Sequence, residues 1–117
     1  MFEGVLENQI EVLGECHRQT IITKMNKGSA LIQEGRIEEG VILLEQTHKD
    51  RTRILGKEHP QTLNTLWWIA EGLEKQGKFQ ESLRTYTKVY ESRKIVLGEN
   101  HPLTINTQQK TERLSEI

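Results

Sequence analysis

The sequence predicts an all-α solenoid of stacked antiparallel helical hairpins, and two observations carry that prediction. The first is periodic punctuation. The strings VLGECHRQT at 12–20, ILGKEHPQT at 54–62 and VLGENHPLT at 96–104 repeat one pattern, with Gly14, Gly56 and Gly98, His17, His59 and His101, and Thr20, Thr62 and Thr104 each 42 residues apart. A fixed period of this size marks a repeat array, in which each unit is too small to bury its own apolar face and does so against its neighbours. The second is composition. Hydrophobic residues make up 34% of the 117-residue chain and charged residues 28%, which is lean for a globule and ordinary for a thin, two-layer helical array.

Each element follows from its apolar spacing and from the Gly and Pro that bound it. From Pro60 to Gln76, Leu63, Leu66, Ile69, Ala70 and Leu73 keep the three-or-four spacing of one helical stripe. Pro60 suits the first helical position, where a missing amide hydrogen costs nothing, and Gly77 suits a left-handed helix end. After the break at Gly77 and Lys78 a second helix is predicted over 79–97, with Phe79, Leu83, Tyr86, Val89, Tyr90, Val96 and Leu97 apolar and Gly98 at its end. So short a connection makes the two helices an antiparallel hairpin.

Shifting by the 42-residue period places the remaining elements. The first hairpin runs over 18–55, with an A helix to Glu34, a break at Gly35 and Arg36, and a B helix from Ile37 to Leu55. The second hairpin is 60–97, and a last A helix covers 102–117. Residues 1–13 align with the second half of a B helix. The whole of 1–117 therefore reads as one array of about five helices plus partial ends. The incomplete units are either caps or the cut edges of a longer array. The stripe of the middle A helix becomes Ile105, Gln108, Thr111, Glu112 and Ser115 in the last one, and terminal repeats are expected to be more polar.

Several function classes are disfavoured. Lys plus Arg number 16 and Asp plus Glu 17, so no overall field draws the chain to nucleic acid or to anionic lipid. The longest apolar run, Leu66 to Ala70, is far short of the roughly 20 residues that cross a bilayer. With Cys16 the lone cysteine, no internal disulfide forms, and the expected setting is reducing and cytoplasmic. His17, His59 and His101 invite a metal reading, but identical points of a solenoid lie about one repeat apart, too far to share an ion held at roughly 2 Å. They are expected instead as turn and helix-start residues. His48 stands alone, and no nucleophile, base and orienting acid share a suggestive spacing. No enzymatic activity, cofactor or metal is expected.

At LGKEHPQTL followed by WWIAEGLEKQGKFQESL the chain resembles the 42-residue tetratricopeptide repeat of the kinesin light chain type. The same pattern is common in the repeat arrays of nucleotide-binding, immune-receptor-like proteins. The middle unit matches the family pattern at Leu55, Gly56, His59, Pro60, Thr62, Leu63, Ala70, Gly77, Phe79 and Glu81, and departs from it at Ser82. The first unit departs more, with Arg18 for proline and with Gly28 and Gly40 for alanines. Since Gly inside a helix costs about 0.5–1 kcal/mol relative to Ala, a looser first hairpin is expected. The resemblance implies a right-handed α-solenoid. Against the usual 34-residue unit, eight extra residues amount to about 12 Å of helix, expected in longer B helices and in the turn that carries glycine and histidine.

Trp67 and Trp68 point about 100° apart on a helix, so one should pack inside and the other emerge. The resemblance selects Trp68 as the exposed one, because its position carries an inner-surface asparagine in the family. Asn26 and Lys110 share its column. Ile22, Asn64 and Asn106 lie one turn away on one side, and Ser29, Glu71 and Arg113 on the other. A groove of amides, an indole and mixed charge suits a peptide or helix of a partner protein. Asn26, Asn64, Trp68, Glu71, Asn106 and Lys110 are therefore the candidate partner-binding residues, although Trp68 can equally be a spacer between A helices. Lys49, Arg51, Arg53, Arg93 and Lys94 offer a second surface, a basic patch for an acidic partner. The expected role is a protein–protein interaction module, an adaptor or the sensor of a larger assembly. The alternative is a structural element that forms a homodimer through the open ends of its array.

Overall fold

The computed structural model describes the backbone of residues 10–116 and the side chains of residues 20–116. Five helices follow one another: α1 (Ile10–Glu34), α2 (Ile37–Leu55), α3 (Pro60–Lys75), α4 (Phe79–Val96) and α5 (Pro102–Ser115). Among the described residues there is no strand. Each helix packs on the next in the chain, α1 also touches α3, and the array measures 52 × 32 × 18 Å. This is an all-α solenoid. As the long period implies, the B helices α2 and α4, at 19 and 18 residues, outlast the A helices α3 and α5, at 16 and 14.

The two hairpin turns are built alike. Gly35 and Gly77 take φ of +95° and +84°, a left-handed conformation that glycine alone adopts without penalty. This reversal lets Arg36 N–H reach the Leu31 carbonyl at 2.9 Å and Lys78 N–H the Leu73 carbonyl at 2.9 Å, while Gly35 and Gly77 N–H bond Ile32 and Glu74 at 3.2 and 3.0 Å. That pair of bonds is the Schellman closure of a helix end. The connections between repeats turn at Gly56 and Gly98 and end on histidine. His59 and His101 are the N-caps of α3 and α5, each accepting through Nδ1 the N–H two residues on, from Gln61 and Leu103, at 3.1 Å. The capping role expected of these two histidines is what the geometry shows, and it places their ring proton on Nε2.

The first copy of the punctuation makes no corner. α1 runs unbroken through Gly14 and His17, although the period places a break there. The difference lies at Arg18, which stands where Pro60 and Pro102 stand. Proline lacks the N–H that the preceding turn needs and clashes with it, whereas arginine continues a helix freely. Of the half B helix expected over 1–13, residues 1–9 lie outside the described residues and the rest belong to α1.

The core has two clusters. Met25, Ile32, Val41, Leu44 and Ile69 form one between α1, α2 and α3, joined by Ile37, Leu66, Trp68 and Leu73. Ala70, Tyr86 and Leu114 form the other, joined by Trp67 and Leu83. α3 thus contributes to both, which is why only its sequence keeps a full apolar stripe. The first hairpin is not loose. A Cβ on Gly40 would lie 2.8 Å from the Gly28 carbonyl and 2.8 Å from Ile32 Cγ1, and one on Gly28 would lie 2.7 Å from Leu44 Cγ. The glycines let α1 and α2 approach more closely than alanine permits. In the second hairpin Ala70 and Ser82 occupy the same places, and the Ser82 hydroxyl donates to the Ala70 carbonyl at 2.8 Å.

Candidate functional site

The candidate site is the surface made by the A helices α1, α3 and α5, and it divides into a seam and a free part. In the seam, side chains reach from one A helix to the next, with α3 engaged on both sides. Met25 of α1 reaches forward, accepting from the Thr65 hydroxyl at 3.5 Å. Trp67, in the same register of α3, reaches forward and donates its indole N–H to Asn106 Oδ1 of α5 at 3.1 Å. Lys110 of α5 reaches back to the Glu71 carboxylate at 3.1 Å and lies over the rings of Trp67 and Tyr86 at 5.3 and 5.8 Å. The Tyr86 hydroxyl also donates to Glu71, at 2.8 Å. Arg113 closes the end of the seam on Glu74.

Electrostatics make this seam cohesive. Burial acts to raise the Glu71 carboxyl, but the Tyr86 hydroxyl and the Lys110 ammonium outweigh it and hold the group below its usual value of 4.5, with Lys75 adding to the effect. Tyr86 is pushed far above the ordinary phenol range, first by burial and then by its bond to Glu71. The tyrosine therefore stays a neutral donor and the glutamate an anion, so both sides of the 2.8 Å bond keep their roles.

Of the six sequence-derived candidates, the structure brings Glu71, Asn106 and Lys110 together, in the seam. Asn26 and Asn64 are exposed, and their side-chain amides hold no partner among the described residues. Trp68 does not emerge as expected. It is half-buried on the first core cluster and meets Trp67 edge-on, with ring centroids 5.2 Å apart and planes at 82°. The reason is the position of α3, which has helices on both sides, so two indoles 100° apart each find a cluster. Sequence reasoning missed Trp67 as a member of this surface and Tyr86 as the buried donor that Glu71 accepts from. The available signal was the register of Trp67, one period after the apolar Met25.

The basic patch expected on the B helices does not form. Arg51 and Arg93 are only 5% and 2% exposed and turn inward to the next A helix. Arg51 Nη1 donates to the Gln61 carbonyl and the Thr65 hydroxyl, both at 3.0 Å. Arg93 Nη1 donates to the Leu103 carbonyl at 3.3 Å and the Thr107 hydroxyl at 2.8 Å. Burial lowers both guanidinium groups from their ordinary value, yet guanidinium stays protonated at neutral pH. Of the others, Arg53 pairs with Asp50 at 3.4 Å and Lys94 with Glu99 at 3.9 Å. Among the described residues no group of three metal-ligating side chains converges, and no helix is long and apolar enough to cross a membrane.

The solenoid, its capped corners and its A-helix wall define a helical-repeat protein, and comparison with known proteins says which. The family model described as tetratricopeptide repeat matches residues 19–94, and the chain belongs to that family. Its fold is like that of a Podosopora anserina protein assigned to the kinesin light chains and built of nearly identical TPR-like repeats, at 24% identity and a TM-score of 0.72, covering 83% of this chain and 46% of that one. A single-substitution variant of that protein matches equally, at 24% identity and a TM-score of 0.72 over 84% and 46% of the two chains. The chain thus spans about half the length of these relatives. No curated protein matches. Tetratricopeptide repeats are in general non-enzymatic scaffolds that bind other proteins.

Proposed function

We propose that the chain is a cytoplasmic interaction module whose inner wall, α1, α3 and α5, takes a peptide or helix of a partner protein, as an adaptor or as the sensing part of a larger assembly. In this reading Asn26 and Asn64 bond the partner's backbone, Trp68 offers the apolar shoulder beside them, and Glu71, Asn106 and Lys110 form the polar boundary of the groove. The observation that carries it is the exposure of Asn26 and Asn64, two side-chain amides on neighbouring A helices without an internal partner among the described residues. An amide carries both donor and acceptor and so matches a peptide backbone of any sequence. The array in which these residues sit is taken as the single unit 1–117.

The test is selection of peptides from a random display library on the immobilised chain, followed by titration calorimetry. Asn64→Ala should weaken the selected peptides by about 1 kcal/mol, roughly fivefold, for one lost hydrogen bond. Arg84→Ala, on the outer wall, should leave them unchanged. Peptides that bind Asn26→Ala, Asn64→Ala and Trp68→Ala as well as the unaltered chain would sink the assignment. Pairing of the array through its ends is the second reading, and α5 bears on it both ways, with Gln108, Glu112 and Ser115 exposed and polar but Leu103 and Ile105 exposed and apolar.

A further inference from the structure

The seam between α3 and α5 surrounds one ammonium group with the chemistry of a binding site. Lys110 Nζ lies 3.1 Å from Glu71 Oε1, 5.3 Å from the Trp67 ring centroid and 5.8 Å from that of Tyr86. A single cation thus meets a carboxylate and two rings, each ring within the roughly 6 Å over which it attracts a positive charge.

The three walls are held by contacts that do not involve Lys110. Tyr86 is fully buried in the second core cluster. Trp67 stands edge-on to it, with ring centroids 5.9 Å apart, and its indole N–H is bound by Asn106. Glu71 receives the Tyr86 hydroxyl on Oε1 at 2.8 Å and Lys75 on Oε2 at 3.9 Å. The lysine itself arrives from another helix, and its side chain remains 23% exposed, so the place of the ammonium borders solvent. Nor does the stacking of repeats require a charge there. One period earlier, at the places of Trp67, Glu71, Tyr86 and Lys110, stand Met25, Ser29, Leu44 and Trp68, none of them charged, and Met25, Leu44 and Trp68 pack in the apolar first cluster. Walls that stand ready around a cation the architecture can do without have the form of a site whose ligand is tethered.

We propose that Trp67, Tyr86 and Glu71 form a recognition site for a primary ammonium on an unbranched stem, that Lys110 is its resident occupant, and that a lysine of a partner protein enters by exchanging with it. The tether gives Lys110 an effective concentration in about the millimolar range, so weak ligands leave the site closed. Peptides selected through Asn26 and Asn64 on the unaltered chain therefore need carry no lysine, and the site stands whether or not the groove takes them. Exchange removes one fastening of α5 to α3, which ties occupancy of the site to the hold on the last helix.

Lys110→Ala vacates the site, and n-butylammonium, which is the lysine side chain without its backbone, is the probe. With sodium chloride holding the ionic strength constant, n-butylammonium should shift the Trp67 indole N–H resonance of Lys110→Ala with a Kd of about millimolar, and should bind the unaltered chain at least about tenfold more weakly. The peptide Gly-Gly-Lys-Gly-Gly should bind Lys110→Ala as n-butylammonium does. Neutral n-butanol should not, and Glu71→Gln added to Lys110→Ala should abolish the response. If Lys110→Ala loses its helical signal, the unaltered chain carries the test, because n-butylammonium at tens of millimolar should speed amide exchange in α5 where sodium chloride does not; no change there overturns the proposal. So does a folded Lys110→Ala that ignores n-butylammonium or takes n-butanol equally, or an unaltered chain that binds as tightly as the variant, which would put the ligand on another surface. A lysine peptide that fails where n-butylammonium succeeds overturns the assignment to a partner lysine.

Discussion

Thr107→Val should destabilise the fold more than Arg93→Met, although the arginine is the larger residue. The argument starts from the cost of a buried cation. Arg93 is 2% exposed, and among the described residues the partners of its Nη1 are the Leu103 carbonyl at 3.3 Å and the Thr107 hydroxyl at 2.8 Å. Among the described residues no carboxylate compensates the desolvation of its charge. Thr107→Val removes the shorter of the two bonds and leaves the cation with the long one. Hydrogen bonds to charged groups contribute about 1.5–3 kcal/mol, and an unmet buried charge adds its own penalty, so a loss of about 2 kcal/mol is expected.

Arg93→Met removes the charge together with its desolvation, and the methionine stem follows the apolar part of the arginine. The Thr107 hydroxyl keeps its bond to the Leu103 carbonyl at 2.8 Å, so nothing is orphaned. The expected loss is below about 1 kcal/mol, and replacement of a buried ion can even stabilise. Without the cation, Thr107→Val has little left to break, so the double variant should match Arg93→Met, with a coupling of about 2 kcal/mol. Urea unfolding followed by circular dichroism measures all four. Arg51 and Thr65, one period earlier, repeat the geometry at 3.0 Å and should repeat the result. Additive losses, or Arg93→Met as the worst variant, would refute the reasoning.

Three further outcomes follow from the same geometry. Gly40→Ala, which ordinarily strengthens a helix, should here cost about 1–3 kcal/mol, because the new Cβ meets the Gly28 carbonyl at 2.8 Å; a rise in thermal midpoint would disprove the close approach. His59→Ala should cost about 0.5–2 kcal/mol through loss of the α3 cap and His59→Asn much less, read by chemical denaturation. For Glu71 the folded carboxyl is held below its usual 4.5, so its stabilisation is complete above that value and is lost as pH falls through the lowered one. The stability gap between the unaltered chain and Glu71→Gln should therefore shrink from pH 6 towards pH 3, and a constant gap would count against the bond network.

The architecture was legible because it is written in positions that have one physical reading. A glycine required at left-handed φ recurs at Gly35 and Gly77, and a proline that only a helix start accepts recurs at Pro60 and Pro102. Where the punctuation lost its proline, at Arg18, period and structure part. The surface was harder to read, because a side chain's destination depends on its neighbours in space. Arg51 and Arg93 look like surface charges on a B helix, and only their pairing with Thr65 and Thr107, threonines of the following A helix, explains their burial. That correspondence was present as a doubled period, an arginine and a threonine recurring together, and was readable only once the repeats are packed. The tryptophans follow the same rule. Their angular separation was known, but which side was solvent depended on α5 standing beside α3.

The seam also decides what the inner wall can spare for a partner. Lys110 lies between the Glu71 carboxylate and two aromatic rings, and a ligand that recruited it would first have to break that arrangement. Asn64 breaks nothing when it turns outward, since its amide holds no bond among the described residues. The two residues should therefore separate in measurement, although both lie on the same wall. Lys110→Met should lower stability, by about 1 kcal/mol for a half-buried ion pair with added ring contacts, and should speed amide exchange in α5 while changing peptide affinity little. Asn64→Ala should do the reverse, losing affinity at unchanged stability. If Lys110→Met weakens peptide binding and leaves both stability and α5 exchange untouched, the lysine grips the partner directly instead of bordering the groove, and the seam is not what fastens the last helix.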